Sequence, residues 1–279
     1  MNSDTGDAKV TEQARAAFQE LFARVSPSMG FTSDASAVFV RAGALKHFEA
    51  GTSIVSGTDR NVLLYFLVDG AVRVTCNLPR HALTIEFVKP GRFFGLGSLF
   101  DPPGPRCLGA IAHTPCLVAI ITPEVAAQAI AALPSCAALQ LLAYSWRGRS
   151  RRVYRQSRTT VMTLSERLLF ELRLLAHDFG RPVARGTLIA IPLTNADLAT
   201  LVGASRAAAA RALDRLQRWD VIERNGGSLV LLDPSISALR VAPLGEAGAR
   251  DDMFPASGPH ASQREGDADD SGCDLPIPR

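Results

Sequence analysis

Residues 194–224 read TNADLATLVGASRAAAARALDRLQRWDVIER, and this stretch decides the fold. Thr194 followed three residues later by Asp197 has the pattern of a capping box that opens a helix. Leu198, Leu201 and Val202 supply an apolar face, and Ala199 is small enough for a second helix to cross closely. Gly203 permits a tight turn, and Ser205 stands where it can cap the next helix. On that helix Ala209, Ala212, Leu213 and Leu216 recur at the i, i+3, i+4, i+7 spacing of one buried face. Arg206, Ala207, Ala210, Arg211 and Asp214 therefore point outward. The following VIERNGGSLVLL reads as two strands joined at Asn225–Gly226–Gly227. Helix, short turn, helix and hairpin together make a winged helix-turn-helix.

The physics of that motif gives its arginines a role. Its second helix enters the major groove by its N-terminal residues. Arginine can hold guanine O6 and N7 with two bonds, or hold a phosphate, and alanine methyls allow close approach. Thr194, Ser205, Arg206, Ala207, Ala210 and Arg211 are the expected DNA-binding residues, with double-stranded DNA as the partner.

Upstream, residues 11–25 carry a helical face of Ala14, Ala17, Phe18, Leu21, Phe22 and Val25. From about Phe31 to Ile121, short apolar runs such as VLLYFLV, AVRVTC and LTIEFV alternate with turn signals. That texture predicts an antiparallel barrel or sandwich. Pro123 opens a short alanine-rich helix, and a long helix follows Pro134. Leu139, Leu142, Ala143, Trp146, Val153, Thr160 and Val161 fall on one side of it, with Ser150 and Ser157 in the same stripe. An apolar seam of that length calls for a partner, most simply a second copy. A further helix is expected over 164–177, ended by Gly180 and Pro182, and residues 183–192 read as a short strand or loop. The expected class is α+β: an N-terminal helical region (1–30), an antiparallel β-roll (31–133), a dimerisation helix and hinge (134–163), a winged helix-turn-helix (164–240) and a disordered acidic tail (241–279).

Charge supports this division. The 279-residue chain has a formal charge of +3, but residues 241–279 hold eight acids against three arginines, leaving +8 on residues 1–240. A basic body suits a polyanion. The start, MNSDTGDAK, lacks the apolar stretch of a signal peptide, and no apolar run is long enough to span a membrane. Five cysteines (76, 107, 116, 136, 273) form no C-x-x-C pair and read as thiols in a reducing cytoplasm. No nucleophile elbow, P-loop, metalloprotease motif or dinucleotide fingerprint appears, which argues against an enzyme.

The order of parts over about residues 20–240 resembles the CRP/FNR family of bacterial transcription regulators. Residues 91–122, GRFFGLGSLFDPPGPRCLGAIAHTPCLVAIIT, resemble the family's phosphate-binding cassette without gaps, including its glycines, the Leu99–Phe100 pair and Arg106. LVGASRAAAARALDRL looks like its recognition helix, and LSERLLFELRLLA like the helix after its hinge. The resemblance implies a homodimer joined through the long helices, a near-palindromic operator with half-sites on the order of 34 Å apart, and contact with RNA polymerase.

The sequence also departs from the family. The effector pocket implied by the resemblance comprises Gly95, Leu96, Arg106, Cys107 and Arg152. Cyclic-nucleotide binders have a ribose-binding glutamate at the position of Leu96, a Ser or Thr at Cys107, and a Thr–Ser pair at Arg152–Val153. A leucine leaves a ribose hydroxyl unpaired, at a cost of roughly 1–3 kcal/mol, so control by cyclic AMP is not expected. The first 75 residues hold no cysteine, which excludes the family's iron–sulfur sensor. Haem ligation by Cys76, His81, His47 or His113 stays open, as does a redox switch at Cys107 beside Arg106. So does a module that binds a ligand or protein but not DNA. Ala207 replaces the glutamate of the cyclic-AMP receptor branch, which predicts a different operator. Residues 146–158, WRGRSRRVYRQSR, hold six arginines and no acid. Arg147, Arg151, Arg155 and Arg158 form a stripe, answered by solvent or the acidic tail. Arg149 or Arg152 could instead join Arg106 around a small anionic effector such as a dinucleotide.

Overall fold

The computed structural model describes residues 4–56, 63–77, 82–95, 108–159, 161–225 and 227–232. The chain opens with helix α1 (Asp4–Val25), whose Phe18 and Phe22 are fully buried while Ala17, expected on the same face, is exposed. A short 3-10 turn, Ser26–Met29, leads to α2 (Ser33–Ala42). This helix lies inside the stretch expected to be β. Thr32 caps it by accepting from the Ala35 amide, and Ala35 and Phe39 give it a buried face. Phe39 then joins an aromatic cluster with Phe22, Phe31, Phe66 and Phe93. The apolar run VFV thus follows a 3.6-residue period that its β-branched residues obscured.

Two four-stranded antiparallel sheets form the roll. One has the order β1-β8-β3-β6 and the other β2-β7-β4-β5. The strands are β1 (Ala44–Phe48), β2 (Ser53–Val55), β3 (Leu64–Asp69), β4 (Val72–Asn77), β5 (Ala82–Val88), β6 (Phe93–Phe94), β7 (Leu108–Ala112) and β8 (Cys116–Ile121). Tyr65, Leu67, Val72, Val74, Phe94 and Val118 belong to the cluster that fills the roll, with Tyr65 and Phe94 stacked at 5.1 Å. The faces are not symmetric. The β3–β8 sheet packs its other side against α1, α2 and α3 (Pro123–Ala131) through Phe18, Phe22, Phe66 and Ala119.

Helix α4 (Ser135–Thr159) runs for 25 residues and α5 (Leu164–Phe179) follows. Thr163 and Glu166 close a capping box at the start of α5, a device worth about 1 kcal/mol. Residues 183–192, read as a short strand or loop, contain strand β10 (Gly186–Ile189), which pairs with β9 (Gly180–Val183) formed by the residues expected only to end α5. Gly180 is required there by close approach: a Cβ at this position would lie 1.9 Å from the Ala176 carbonyl oxygen and 2.5 Å from Thr187 Cγ2. Helices α6 (Asn195–Val202) and α7 (Arg206–Arg218) precede β11 (Ile222–Asn225) and β12 (Ser228–Leu232). The third sheet, β11-β12-β10-β9, completes the wing.

Candidate nucleic-acid interface

The turn between α6 and α7 is built as its residues dictate. Thr194 Oγ1 accepts from the Asp197 amide at 3.1 Å, while Asp197 Oδ2 accepts from the Thr194 amide and hydroxyl at 2.9 and 2.6 Å. Gly203 adopts φ +63°, which favours glycine over any residue bearing a Cβ. Its amide donates to the Ala199 carbonyl. Ser205 then caps α7 by accepting from the Ala208 amide at 3.2 Å. The inner face of α7, Ala209, Ala212, Leu213 and Leu216, is buried with Leu168, Leu172, Leu198 and Ile222 or beside them.

Burial of that face fixes the opposite one. Ser205, Arg206, Ala207 and Arg211 are exposed, and Ala210 is half-buried between the two faces. No acid occupies the first turn of α7. Its unpaired amides, the helix dipole and Arg206 therefore make one positive end, the arrangement that receives phosphates. Arg215 and Arg218 extend the basic surface into the last turn. The wing adds residues that spacing alone did not single out. Arg224 on β11 donates to Asn195 Oδ1 at 2.9 Å, tying the wing to the first residue of α6. Arg185 pairs with Glu223 at 2.9 Å, which neutralises the wing's acid.

The second exposed feature lies on α4. Leu139, Leu142, Trp146 and Val153 are exposed, Trp146 to 68% and Leu142 to 59%, and Val161 beyond the helix is 85% exposed. Ala143 and Ser150 in the same stripe are half-buried and Ser157 is exposed. The side chains of Arg147, Arg149, Arg151, Arg152, Arg155 and Arg158, and all of Thr160, lie outside the described residues.

Of the expected effector pocket only Gly95 is described. It is exposed and turns the chain beside the Tyr65 ring. Leu96, Arg106 and Cys107 fall outside the described residues, as do His81 and the acidic tail. The remaining histidines of the roll do not face its interior. His47 is exposed on β1, and His113 Nε2 donates to the Pro192 carbonyl at 2.5 Å. Cys116 is buried, with its sulfur 3.2 Å from the Ala71 carbonyl and 3.1 Å from that of Thr114. Burial pushes its thiol up despite those contacts, so it is a poor nucleophile. Among the described residues no cluster of three His, Cys, Asp or Glu side chains could hold a metal ion. None of their helices is long and apolar enough to cross a membrane.

Known proteins agree with this architecture. The cyclic nucleotide-binding domain family matches residues 45–132, and the Crp-like helix-turn-helix domain family matches residues 166–236. The chain belongs to the CRP/FNR family. It is a DNA-binding transcription regulator, and its relatives are regulators rather than enzymes. It is 29% identical over 182 residues to the global nitrogen regulator of Nostoc sp., a match covering 63% of this chain and 79% of that protein. The global nitrogen regulator of Synechococcus elongatus is 26% identical over 197 residues, covering 68% of this chain and 86% of the relative. The same fold occurs in the c-di-GMP-responsive global regulator CLP of Xanthomonas campestris, with a TM-score of 0.59 and 23% identity, over 72% of this chain and all of that one. It occurs too in a CRP-family transcriptional regulator of Thermus thermophilus, with a TM-score of 0.57 and 23% identity, over 68% of this chain and 93% of that one.

Proposed function

We propose that this regulator acts as a homodimer on a near-palindromic operator, without cyclic AMP as its effector. The observation that carries the reading is that α4 exposes an apolar seam and α7 exposes a basic face. An apolar stripe containing a tryptophan is covered most economically by its own copy, because a two-fold axis pairs it with an identical stripe. Two copies of α7 then meet DNA as a symmetric pair. Arg206 and Arg211 reach base edges or phosphates, Ala207 and Ala210 permit close approach, and Thr194 and Ser205 lie at the helix ends that face the backbone. The protein works in the cytoplasm beside its DNA and touches RNA polymerase at its promoters, as its family does. Leu96, Cys107 and Arg152 support independence from cyclic AMP, since Leu96 offers the ribose no acceptor and Cys107 and Arg152 stand where cyclic-nucleotide binders carry hydroxyls.

Selection of bound sequences from random duplex DNA, with purified reduced protein in the presence and absence of cyclic AMP, tests this reading. Enrichment of one palindrome in both arms is expected. Enrichment only with cyclic AMP overturns the effector statement, and no palindrome in either arm overturns the operator statement.

A further inference from the structure

The strand pair β4–β5 carries polar residues on its outer face that the roll itself does not use. Arg73 and Phe87 sit directly opposite each other in the ladder. A bulge lies between Val74 and Thr75, where the partner strand passes from Glu86 to Thr84 and leaves Ile85 unpaired. Such a bulge re-aims its neighbours. Ile85 packs on the interior of the roll, whereas Phe87 packs into the core of the winged helix with Leu168 and Leu198.

Around Phe87 the contacts are directional. Arg73 Nη1 donates to Asp197 Oδ1 at 2.6 Å, and the two side chains are only 24% and 12% exposed. Asp197 is the carboxylate that closes the α6 capping box with its other oxygen. Thr200 gives its one hydroxyl proton to the Asp197 carbonyl at 2.9 Å, so Thr84 is the donor in the 2.7 Å contact with Thr200. Lys89 pairs with Asp178 at 2.6 Å. The buried Nε of Arg73 has no hydrogen-bond partner. Its desolvation is uncompensated, so the pairing with Asp197 is what holds the guanidinium in place.

We propose that Arg73 is a positioning residue for DNA binding: from the outer face of the roll it pins Asp197 and so fixes the angle at which α7 is presented. The effect on DNA rests on the dimeric reading above. Two recognition helices bind a palindrome as a linked pair only if each is held at a set separation, because a loose tether lowers the effective concentration of the second helix. A single half-site makes no such demand.

The test compares Arg73→Ala and Arg73→Lys with the unaltered full chain, with Thr84→Val as a second, size-conserving variant. Amide hydrogen exchange of the DNA-free protein is read over Ala82–Val88 and Asn195–Val202. Affinity is read on the enriched palindromic duplex and on the same duplex with one half-site scrambled. Arg73→Ala is expected to raise exchange in both segments and to weaken palindrome binding about tenfold while half-site binding holds. Arg73→Lys restores part of both, and Thr84→Val gives a smaller change of the same kind. Unchanged exchange overturns the proposal, and so does an equal loss on both duplexes or tighter palindrome binding by Arg73→Ala. If no palindrome is enriched, the operator reading has failed on its own. The exchange arm then decides the pinning: Arg73-dependent protection of α6 upholds it and its absence overturns it.

Discussion

Helices α4 and α7 each leave one long face in solvent, and the two faces have opposite chemistry. On α4 it is Leu142, Trp146 and Val153, so water is the wrong neighbour for it. On α7 it is Arg206 and Arg211 among alanines, whose charge is well hydrated until an anion replaces the water. The first face is completed by non-directional burial, so its partner need only match in shape and polarity. The second is completed by hydrogen bonds that have direction, so its partner can be read. On the dimeric reading proposed above, assembly and recognition fall on two different helices, so each should be breakable without the other.

The largest effect is expected on α4. Leu142→Glu with Trp146→Glu places charges on the seam and should abolish dimerisation, a loss of about a thousandfold or more at hot-spot magnitudes. Analytical ultracentrifugation should show a folded monomer that retains weak half-site binding. A variant that stays dimeric would mean that the seam is not the joint. On α7, Arg211→Ala should leave the dimer intact and cost roughly 1–3 kcal/mol on the operator. A loss confined to one base-pair position marks a base contact, whereas a uniform loss with a shallower salt dependence marks a phosphate contact.

The smallest effect concerns the contact between the roll and α5, where Lys89 meets Asp178. Burial raises the Asp178 carboxyl, but the hydrogen bond and charge of Lys89, with His177 and Arg92, more than offset this and hold it below its ordinary range. A carboxylate depressed in the folded state stabilises above its unfolded pKa, and that stabilisation is lost as pH falls through the folded value. The melting difference between the unaltered protein and Asp178→Asn should therefore be present at about pH 6 and shrink towards about pH 3. A difference that does not depend on pH would assign the effect to packing instead of charge.

Much of the α6–α7 unit was legible in the chain because its determinants are local. Thr194 and Asp197 cap within three residues, Gly203 turns by itself, and the inner face of α7 follows from periodicity. The helix α2 was harder to read. Its VFV run holds two β-branched residues, and what settles it is Phe39 meeting Phe22 of α1, Phe31 and Phe93 of β6. Arg73 gave no signal at all. In AVRVTC it occupies an ordinary outward position of a strand, where an arginine facing solvent is the normal reading. Lys89 and Asp178 were equally silent.

The sequence by itself determined the winged helix, the capped turn, the apolar seam and the arginines that face outward, since each depends on neighbours within one or two helical turns. Only the tertiary structure decided that Arg73 meets Asp197 across 124 positions, that Phe87 leaves the roll for another core, and that Arg224 ties the wing to Asn195. A bulge, a sheet edge and a helix terminus must all be placed in space before those side chains can meet, and no spacing along the chain encodes that distance.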